Sequence, residues 1–375
     1  MPVWQAIFIF LVAFGTTYAM VPVSKRIAIA IGAIDYPGPR RVNKDVMARA
    51  GGIALYTGFV VAALVLYAGK HYLGWEFNDL YSVSGVDYVL LFCGLTIVFL
   101  VGLIDDVSPL SPRSKLAGQI VAAVVICLSG VTIGSLRWVF TGEYIALGWM
   151  DFPVTIVYFL IFMNAINLID GLDGLAAGIV AIDALALLYL VLVRGNITFA
   201  FICLIIIAVC LAFLRFNFHP AQLFMGDSGS LFLGTLIAII SITCVMRSQG
   251  IAIFIVPLVI AGVPVIDTGS AIIRRLREGK RIDEADMEHM HHRIMASGYS
   301  QRRTVLVLYA LTAVLAFAGC FIGSFAGFRR WVALGILIIG VFILIYRLRL
   351  FAPVLQHHYR RREKVEPRRD LNNPL

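Results

Sequence analysis

Long apolar segments, repeated along almost the whole chain, restrict most strongly how this sequence can fold. A helix that crosses the hydrocarbon core of a bilayer needs about 20 mostly apolar residues. Such segments occupy approximately residues 2–24, 51–69, 86–104, 115–135, 152–169, 174–193, 197–214, 229–246, 251–273, 304–324 and 331–350. Since 60% of the 375 residues are hydrophobic and 14% are charged, the chain lacks the polar surface of a soluble protein. The sequence therefore predicts an all-α integral membrane protein with about 11 transmembrane helices.

Basic residues are distributed unevenly between the two sides of this predicted bundle. Threading the segments through a membrane places 25 of the 31 lysines and arginines on one side. Positively charged loops remain in the cytoplasm, so we expect the N-terminus outside and the C-terminus in the cytoplasm. The net charge of +9 then faces anionic lipid headgroups, and no nucleic-acid partner is expected.

The domain organisation predicted from these patterns is simple. One polytopic membrane domain covers residues 1–351, and a basic cytoplasmic tail covers 352–375. The largest cytoplasmic loop, 274–303, contains a histidine cluster and is predicted to form a short amphipathic helix. The six cysteines stand singly in apolar stretches, a pattern that favours neither a disulfide framework nor a zinc site.

Four groups of polar residues lie at helix ends on the predicted cytoplasmic side. They are Asp105 with Asp106; Asn164, Asn167, Asp170 and Asp173; Asn217 with Asp227; and His289, His291, His292 and Arg293. Because these groups are far apart in sequence but share one face of the membrane, we expect them to form a single active site on the cytoplasmic face.

The carboxylates and amides have both functional and structural interpretations. Adjacent carboxylates such as Asp105 and Asp106 suit a general base or a neighbouring metal ion, but are also ordinary charges at a helix end. The asparagines at 164 and 167 interrupt an apolar span, where polar groups are costly and usually functional, although a contact between helices would also explain them. Asp227 can cap a helix. It can also be a ligand of Mg²⁺, which binds few carboxylates and takes other ligands from substrate phosphates.

The histidine loop favours recognition of an anionic ligand. His289 and His292 share a helical face, and Arg293 follows directly. Grouped cations near carboxylates and a hard metal ion suit a diphosphate, whereas H-x-H-H without a nearby cysteine is poor spacing for structural zinc. Phe224 can pack at the membrane interface or stack on a nucleobase.

At these residues the chain resembles the polyprenyl-phosphate N-acetylhexosamine-1-phosphate transferases, glycosyltransferase family 4. The shared motifs occur in the family's order: R-R-V-N-K near residue 40, L-I-D-D-V, N-A-I-N-L-I-D-G-L-D-G-L, F-M-G-D-S-G-S, P-V-I-D-T and H-M-H-H-R. The resemblance implies that a UDP-linked amino sugar donates its sugar-1-phosphate to undecaprenyl phosphate in the bacterial cytoplasmic membrane, releasing UMP. The H-x-H-H-R loop is similar to the N-acetylglucosaminyl branch, which implies UDP-N-acetylglucosamine as donor and initiation of a cell-envelope polysaccharide.

The resemblance also implies residue roles. Asp105 and Asp106 match the family's catalytic aspartates, Asp105 being the better candidate for the base. Asn167 and Asp227 match the residues that hold Mg²⁺, for which Mn²⁺ is a candidate substitute. The substrate-binding residues expected on this basis, with Phe224 packing on uracil, are Lys115, Asn164, Asp170, Asp173, Phe224, His289, His291, His292 and Arg293. A homodimer is a candidate assembly.

Two alternatives remain at this stage. Another UDP-amino sugar would use the same residues for the same reaction. An ion-coupled transporter would account for carboxylates within predicted spans, such as Asp183 and Asp267. Transporters, however, bind near the bilayer midplane between repeats, whereas here the polar residues gather at one interface and no repeat is visible.

Overall fold

The computed structural model describes residues 2–36, 46–75, 85–137, 144–246, 251–277, 289–324 and 328–347. The helices in these ranges are α1 (Val3–Ala30), α2 (Gly52–Tyr72), α3 (Tyr88–Val107), α4 (Pro112–Leu128), α5 (Asp151–Ile169), α6 (Leu175–Val193), α7 (Ile197–Asn217), α8 (Gly226–Ile240), α9 (Ile251–Ile260), α10 (Gly262–Arg277), α11 (Met290–Ala296), α12 (Gln301–Ser324) and α13 (Phe328–Arg347). A 3₁₀ turn (Gly148–Met150) precedes α5, and a π-helical turn (Ser241–Met246) follows α8. The predicted tail, 352–375, lies outside the described residues.

Two short antiparallel hairpins complete the described part of the chain. β1 (Ile34–Asp35) pairs with β2 (Met47–Ala48), with Ile34 opposite Ala48. β3 (Ser135–Arg137) pairs with β4 (Tyr144–Ala146), with Leu136 opposite Ile145.

Eight helical segments in the described ranges are long and apolar enough to cross a membrane. They are α1, α2, α3, α5 with its 3₁₀ turn, α6, α7, α8 with the start of its π-helical turn, and α12. Large apolar side chains remain exposed along them, including Leu11 (60%), Val89 (73%) and Phe317 (73%), as contact with lipid requires. The chain is a multi-pass, all-α membrane protein.

Three of the eleven predicted spans differ from these eight segments. The span predicted at 115–135 is the 17-residue helix α4, which ends at Leu128. The span at 251–273 is divided into α9 and α10, because Pro264 has no N–H to continue the helical ladder across this point. The span predicted at 331–350 overlaps α13, in which Val332–Val341 is a shorter apolar segment of the described residues. The total of eleven spans remains a prediction.

Helix α8 is the centre of the bundle, and every one of its residues is buried. It packs between α3 and α5, where two glycines allow the backbones to approach closely. A Cβ at Gly102 would lie 2.5 Å from the carbonyl of Asp227, and a Cβ at Gly234 would lie 2.6 Å from the carbonyl oxygen of Phe162. This close packing brings the polar end of α3 against the first turn of α8.

Candidate active site

Asp106 holds the end of α3 against the beginning of α8. Its Oδ1 accepts a hydrogen bond from the backbone N–H of Asp227 (2.7 Å), while Oδ2 accepts from the Ser228 N–H (3.0 Å) and hydroxyl (2.6 Å). The first N–H groups of a helix have no partner within it, so this buried carboxylate caps α8 from a different helix. Gly226, at φ +74°, is required beside it, because a Cβ there would lie 2.5 Å from the carboxylate. Asp106 is therefore a positioning residue in this structure.

Asp105 faces the opposite way from its neighbour. Its Oδ1 accepts a hydrogen bond from the Leu110 N–H at 2.6 Å, and its Oδ2 lies 3.2 Å from the Lys115 ammonium nitrogen. The Asp105 side chain is 12% exposed, whereas that of Asp106 is inaccessible. Of the two adjacent aspartates, only Asp105 is open to a ligand.

Asp227 lies between two cationic side chains. Lys115 bridges Asp105 and Asp227 through its Nζ. The Arg49 guanidinium bridges Asp227 and Asp106, with Nη2 2.5 Å from Asp227 Oδ1 and Nε 3.1 Å from Asp106 Oδ1. When all five groups are ionised, this cluster has one net negative charge.

Arg49 is a site residue that was not expected from the sequence, where it is only one of the 25 basic residues on the predicted cytoplasmic side. Arg49 follows β2 and forms a parallel bridge with Phe224, two residues before the start of α8. The signal for Arg49 in the sequence is the pair Gly51 and Gly52 shortly after it, which indicates a close backbone contact. A Cβ at Gly52 would lie 2.3 Å from the Ser228 hydroxyl, so this loop can rest on α8 only if the residue is glycine.

The two asparagines of α5 have different surroundings. Asn164 and Gln119 of α4 exchange hydrogen bonds through their amides, at 2.9 and 3.3 Å. This is the helix–helix contact that the sequence left open as an alternative. Asn167 donates to the Ser230 hydroxyl in the first turns of α8 at 2.9 Å, and its amide oxygen accepts no hydrogen bond from the described residues.

The loop between α5 and α6 brings two further carboxylates to this end of the bundle. Burial raises the pKa of Asp170 well above its usual range, an effect that the nearby Arg49 opposes and that Asp106 and Asp173 reinforce. Asp173 accepts hydrogen bonds from His219 Nδ1 (2.8 Å) and from the Ala221 N–H (3.2 Å). Asp173 thus fixes the loop after α7, and Asp170 is nearer to the Arg49 cluster.

The histidine segment is attached to the bundle by Asp267 of α10. Asp267 accepts hydrogen bonds from His289 Nδ1 (3.0 Å) and from the Met290 N–H (2.8 Å), at the start of α11. Asp267, considered above for an ion path, therefore anchors the histidines. Asp183, the other such carboxylate, is fully buried in α6, and its oxygens have no partner among the described residues.

His291 connects this segment to the α5–α6 loop. A Cβ at Gly171 would lie 2.8 Å from His291 Nε2, so glycine leaves room for the ring beside Asp170. Burial and the neighbouring His292 lower the pKa of His291 to about 3, and neither ring nitrogen has a partner in the described ranges. The His291 and His292 rings are 4.2 Å apart, with His292 half-buried and Arg293 buried.

The side chains at this site suit some metal ions and not others. No group of three or more His, Cys, Asp or Glu side chains among the described residues is arranged to hold one. Mg²⁺, however, is commonly held by one or two carboxylates and takes its other ligands from phosphates and water. Asp227 and Asn167 fit such an ion. Both Asp227 oxygens already bind cationic side chains, and the Asn167 amide oxygen accepts no hydrogen bond from the described residues.

Apolar helices whose ends converge on ionised side chains, with one carboxylate open to a ligand, define a membrane protein with a polar site at one end of its helical bundle. The model of the family described as Glycosyl transferase family 4 matches residues 88–245, from α3 into the π-helical turn after α8. The matched segment contains both aspartates of α3, the asparagines of α5 and Asp227.

Named relatives cover more of the chain. A probable undecaprenyl-phosphate N-acetylglucosaminyl 1-phosphate transferase of Bacillus subtilis is 36% identical over 92% of this chain and 90% of the relative. A decaprenyl-phosphate N-acetylglucosaminephosphotransferase of Mycolicibacterium smegmatis is 35% identical, covering 78% of this chain and 75% of the relative. A phospho-N-acetylmuramoyl-pentapeptide-transferase of Bacillus thuringiensis is 31% identical, covering 73% and 82%. The chain belongs to glycosyl transferase family 4 and is a membrane transferase.

Proposed function

We propose that this protein transfers N-acetylglucosamine-1-phosphate from UDP-N-acetylglucosamine to undecaprenyl phosphate and releases UMP. The observation that carries the proposal is the cluster of Asp105, Lys115 and Asp227, where a partly exposed carboxylate lies beside an ammonium group that suits phosphate oxygens. The names of the Bacillus subtilis and Mycolicibacterium smegmatis relatives support the sugar and the polyprenyl acceptor.

In this reaction Asp105 orients the acceptor phosphate and takes its proton, because it is the exposed member of the aspartate pair. The Lys115 ammonium lies 3.2 Å from Asp105 Oδ2 and holds this carboxylate in position for that role. Asp106 holds the first turn of α8, and with it Asp227, in position. Mg²⁺, when held by Asp227 and Asn167, supplies positive charge to the diphosphate.

The histidine segment is proposed to bind the donor. Arg293 and His292 supply charge-assisted hydrogen bonds to phosphate or sugar oxygens. His291 is neutral at physiological pH, so its ring can donate and accept hydrogen bonds without adding charge. Phe224, half-buried beside Arg49, is the proposed contact for uracil.

The site is proposed to face the cytoplasm of a bacterial cell, where UDP-sugars are made. The excess of basic residues on one predicted side supports this orientation. The polyprenyl chain then remains in the bilayer beside the helices, and the lipid-linked sugar begins a cell-envelope polysaccharide.

Purified protein in lipid nanodiscs tests this proposal. With undecaprenyl phosphate and Mg²⁺, UDP-N-acetylglucosamine should yield UMP and undecaprenyl diphosphate-linked N-acetylglucosamine in equal amounts. UDP-N-acetylgalactosamine and UDP-N-acetylmuramoyl-pentapeptide, assayed in parallel, should react much more slowly, and EDTA should stop the reaction. Faster turnover with another donor would correct the sugar, and no UMP from any of them would refute the proposed reaction.

A further inference from the structure

The Arg49 side chain is bound to the carboxylate cluster but is only partly buried. Its side chain is 28% exposed, whereas its partners Asp106 and Asp227 are 0% and 9% exposed. The guanidinium therefore binds buried carboxylates through Nε and Nη2, while part of the Arg49 side chain remains accessible to a ligand.

The backbone of Arg49 is fixed, so that only its side chain can change partners. The Arg49 N–H donates to the Ala33 carbonyl at 2.9 Å, and the following Gly51 N–H donates to the Phe224 carbonyl at 2.9 Å. A Cβ at Gly51 would lie 2.5 Å from the Phe213 ring, which shows how tightly this loop is packed.

The two carboxylates depend on Arg49 to different degrees. Asp106 also accepts three hydrogen bonds from the start of α8, and these remain when the guanidinium leaves. The Asp227 carboxylate is neutralised by Arg49 and Lys115, one at each oxygen. A divalent cation that binds Asp227 Oδ1 must take the position of Arg49, because two cations repel each other at this distance.

We propose that Arg49 competes with the divalent cation for Asp227 and, once displaced, binds the diphosphate of the donor. A planar guanidinium suits phosphate oxygens through paired hydrogen bonds. Since the metal releases Arg49 and the diphosphate takes it up, the metal and the donor each favour binding of the other. Arg49 is thus a donor-binding residue, and its diphosphate role rests on the proposed function.

Direct Mn²⁺ binding to the purified protein, followed by electron paramagnetic resonance without donor or lipid, tests the competition. Arg49→Gln should lower the Kd for Mn²⁺ by about one decade, the size of one lost hydrogen bond between charged groups. At saturating Mn²⁺ the same variant should raise the KM for UDP-N-acetylglucosamine by about one decade, with a smaller change in kcat. A general loss of structure would not strengthen Mn²⁺ binding while weakening donor binding, so this pair of effects is specific to the proposal.

Arg113→Gln is the matched control, because it removes one exposed arginine near the start of α4 without touching Asp227. It should leave both constants close to wild type. Arg49→Lys keeps the charge but loses the paired geometry, and should give an intermediate Mn²⁺ Kd. If Arg49→Gln fails to fold, Arg49→Lys still tests whether Arg49 and the metal compete for Asp227.

Unchanged or weaker Mn²⁺ binding in the Arg49 variants would overturn the competition. Tighter Mn²⁺ binding with an unchanged donor KM would overturn the diphosphate role alone. If wild-type protein turns over no UDP-sugar, the proposed function fails, and the Mn²⁺ titration still decides whether Arg49 and metal compete.

Discussion

Replacing each aspartate of α3 by asparagine should separate a structural role from a catalytic one. The Asp106 carboxylate is inaccessible to solvent, accepts three hydrogen bonds from α8 and pairs with Arg49. In Asp106→Asn an NH₂ group faces at least one of these donors, and the buried negative charge is lost. Breaking a buried, hydrogen-bonded charge pair costs about 3–5 kcal/mol, so the free energy of unfolding should fall by that order.

Asp105→Asn should behave differently. Its side chain and that of Lys115 are 12% and 18% exposed, and an asparagine oxygen can still accept the hydrogen bond from Leu110. Lys115 also keeps its ion pair with Asp227 in this variant, so stability should fall less than in Asp106→Asn while turnover falls steeply.

The measurement is the melting temperature of each purified variant, taken with kcat for UMP release. Asp106→Asn should melt well below wild type. Asp105→Asn should melt closer to wild type, and its kcat per folded molecule should be lower than that of Asp106→Asn. A fully stable Asp106→Asn that has lost turnover would refute the structural assignment. Equal, mild losses in both variants would reduce the pair to a general electrostatic role.

Three further predictions concern the metal, the donor and pH. Asp227→Ala should abolish transfer and Mn²⁺ binding in a protein that still inserts and folds; activity restored by excess Mg²⁺ would remove Asp227 as a ligand. Arg293→Ala and His292→Ala should each lower kcat/KM for the donor by about one to two decades, with much less effect on undecaprenyl phosphate; unchanged kinetics would remove the histidine segment from the site. His291, with its pKa lowered to about 3, takes up its proton only on unfolding, so stability should fall as pH drops below about 6.5. His291→Gln should reduce this acid sensitivity in melting curves at pH 7.5 and 5, and an unchanged slope would show that His291 is not its source.

The sequence by itself determined the helices that form the bundle. Predicted spans at 152–169, 174–193 and 197–214 correspond to Asp151–Ile169, Leu175–Val193 and Ile197–Asn217. This agreement has a local cause, because the length of an apolar segment already decides whether it can span the hydrocarbon core. The motifs also indicated which helix ends would meet, and the family comparison confirmed the transferase.

Only the tertiary structure decided what each polar side chain contacts. Asp105 and Asp106 have the same chemistry and adjacent positions, yet one is open and the other caps α8, because a helix turns by about 100° per residue. Arg49 pairs with Asp227, 178 positions away in the chain. Asn164 is used in a contact with Gln119. Such pairings depend on which faces of distant helices are pressed together, and no local pattern of residues contains that information.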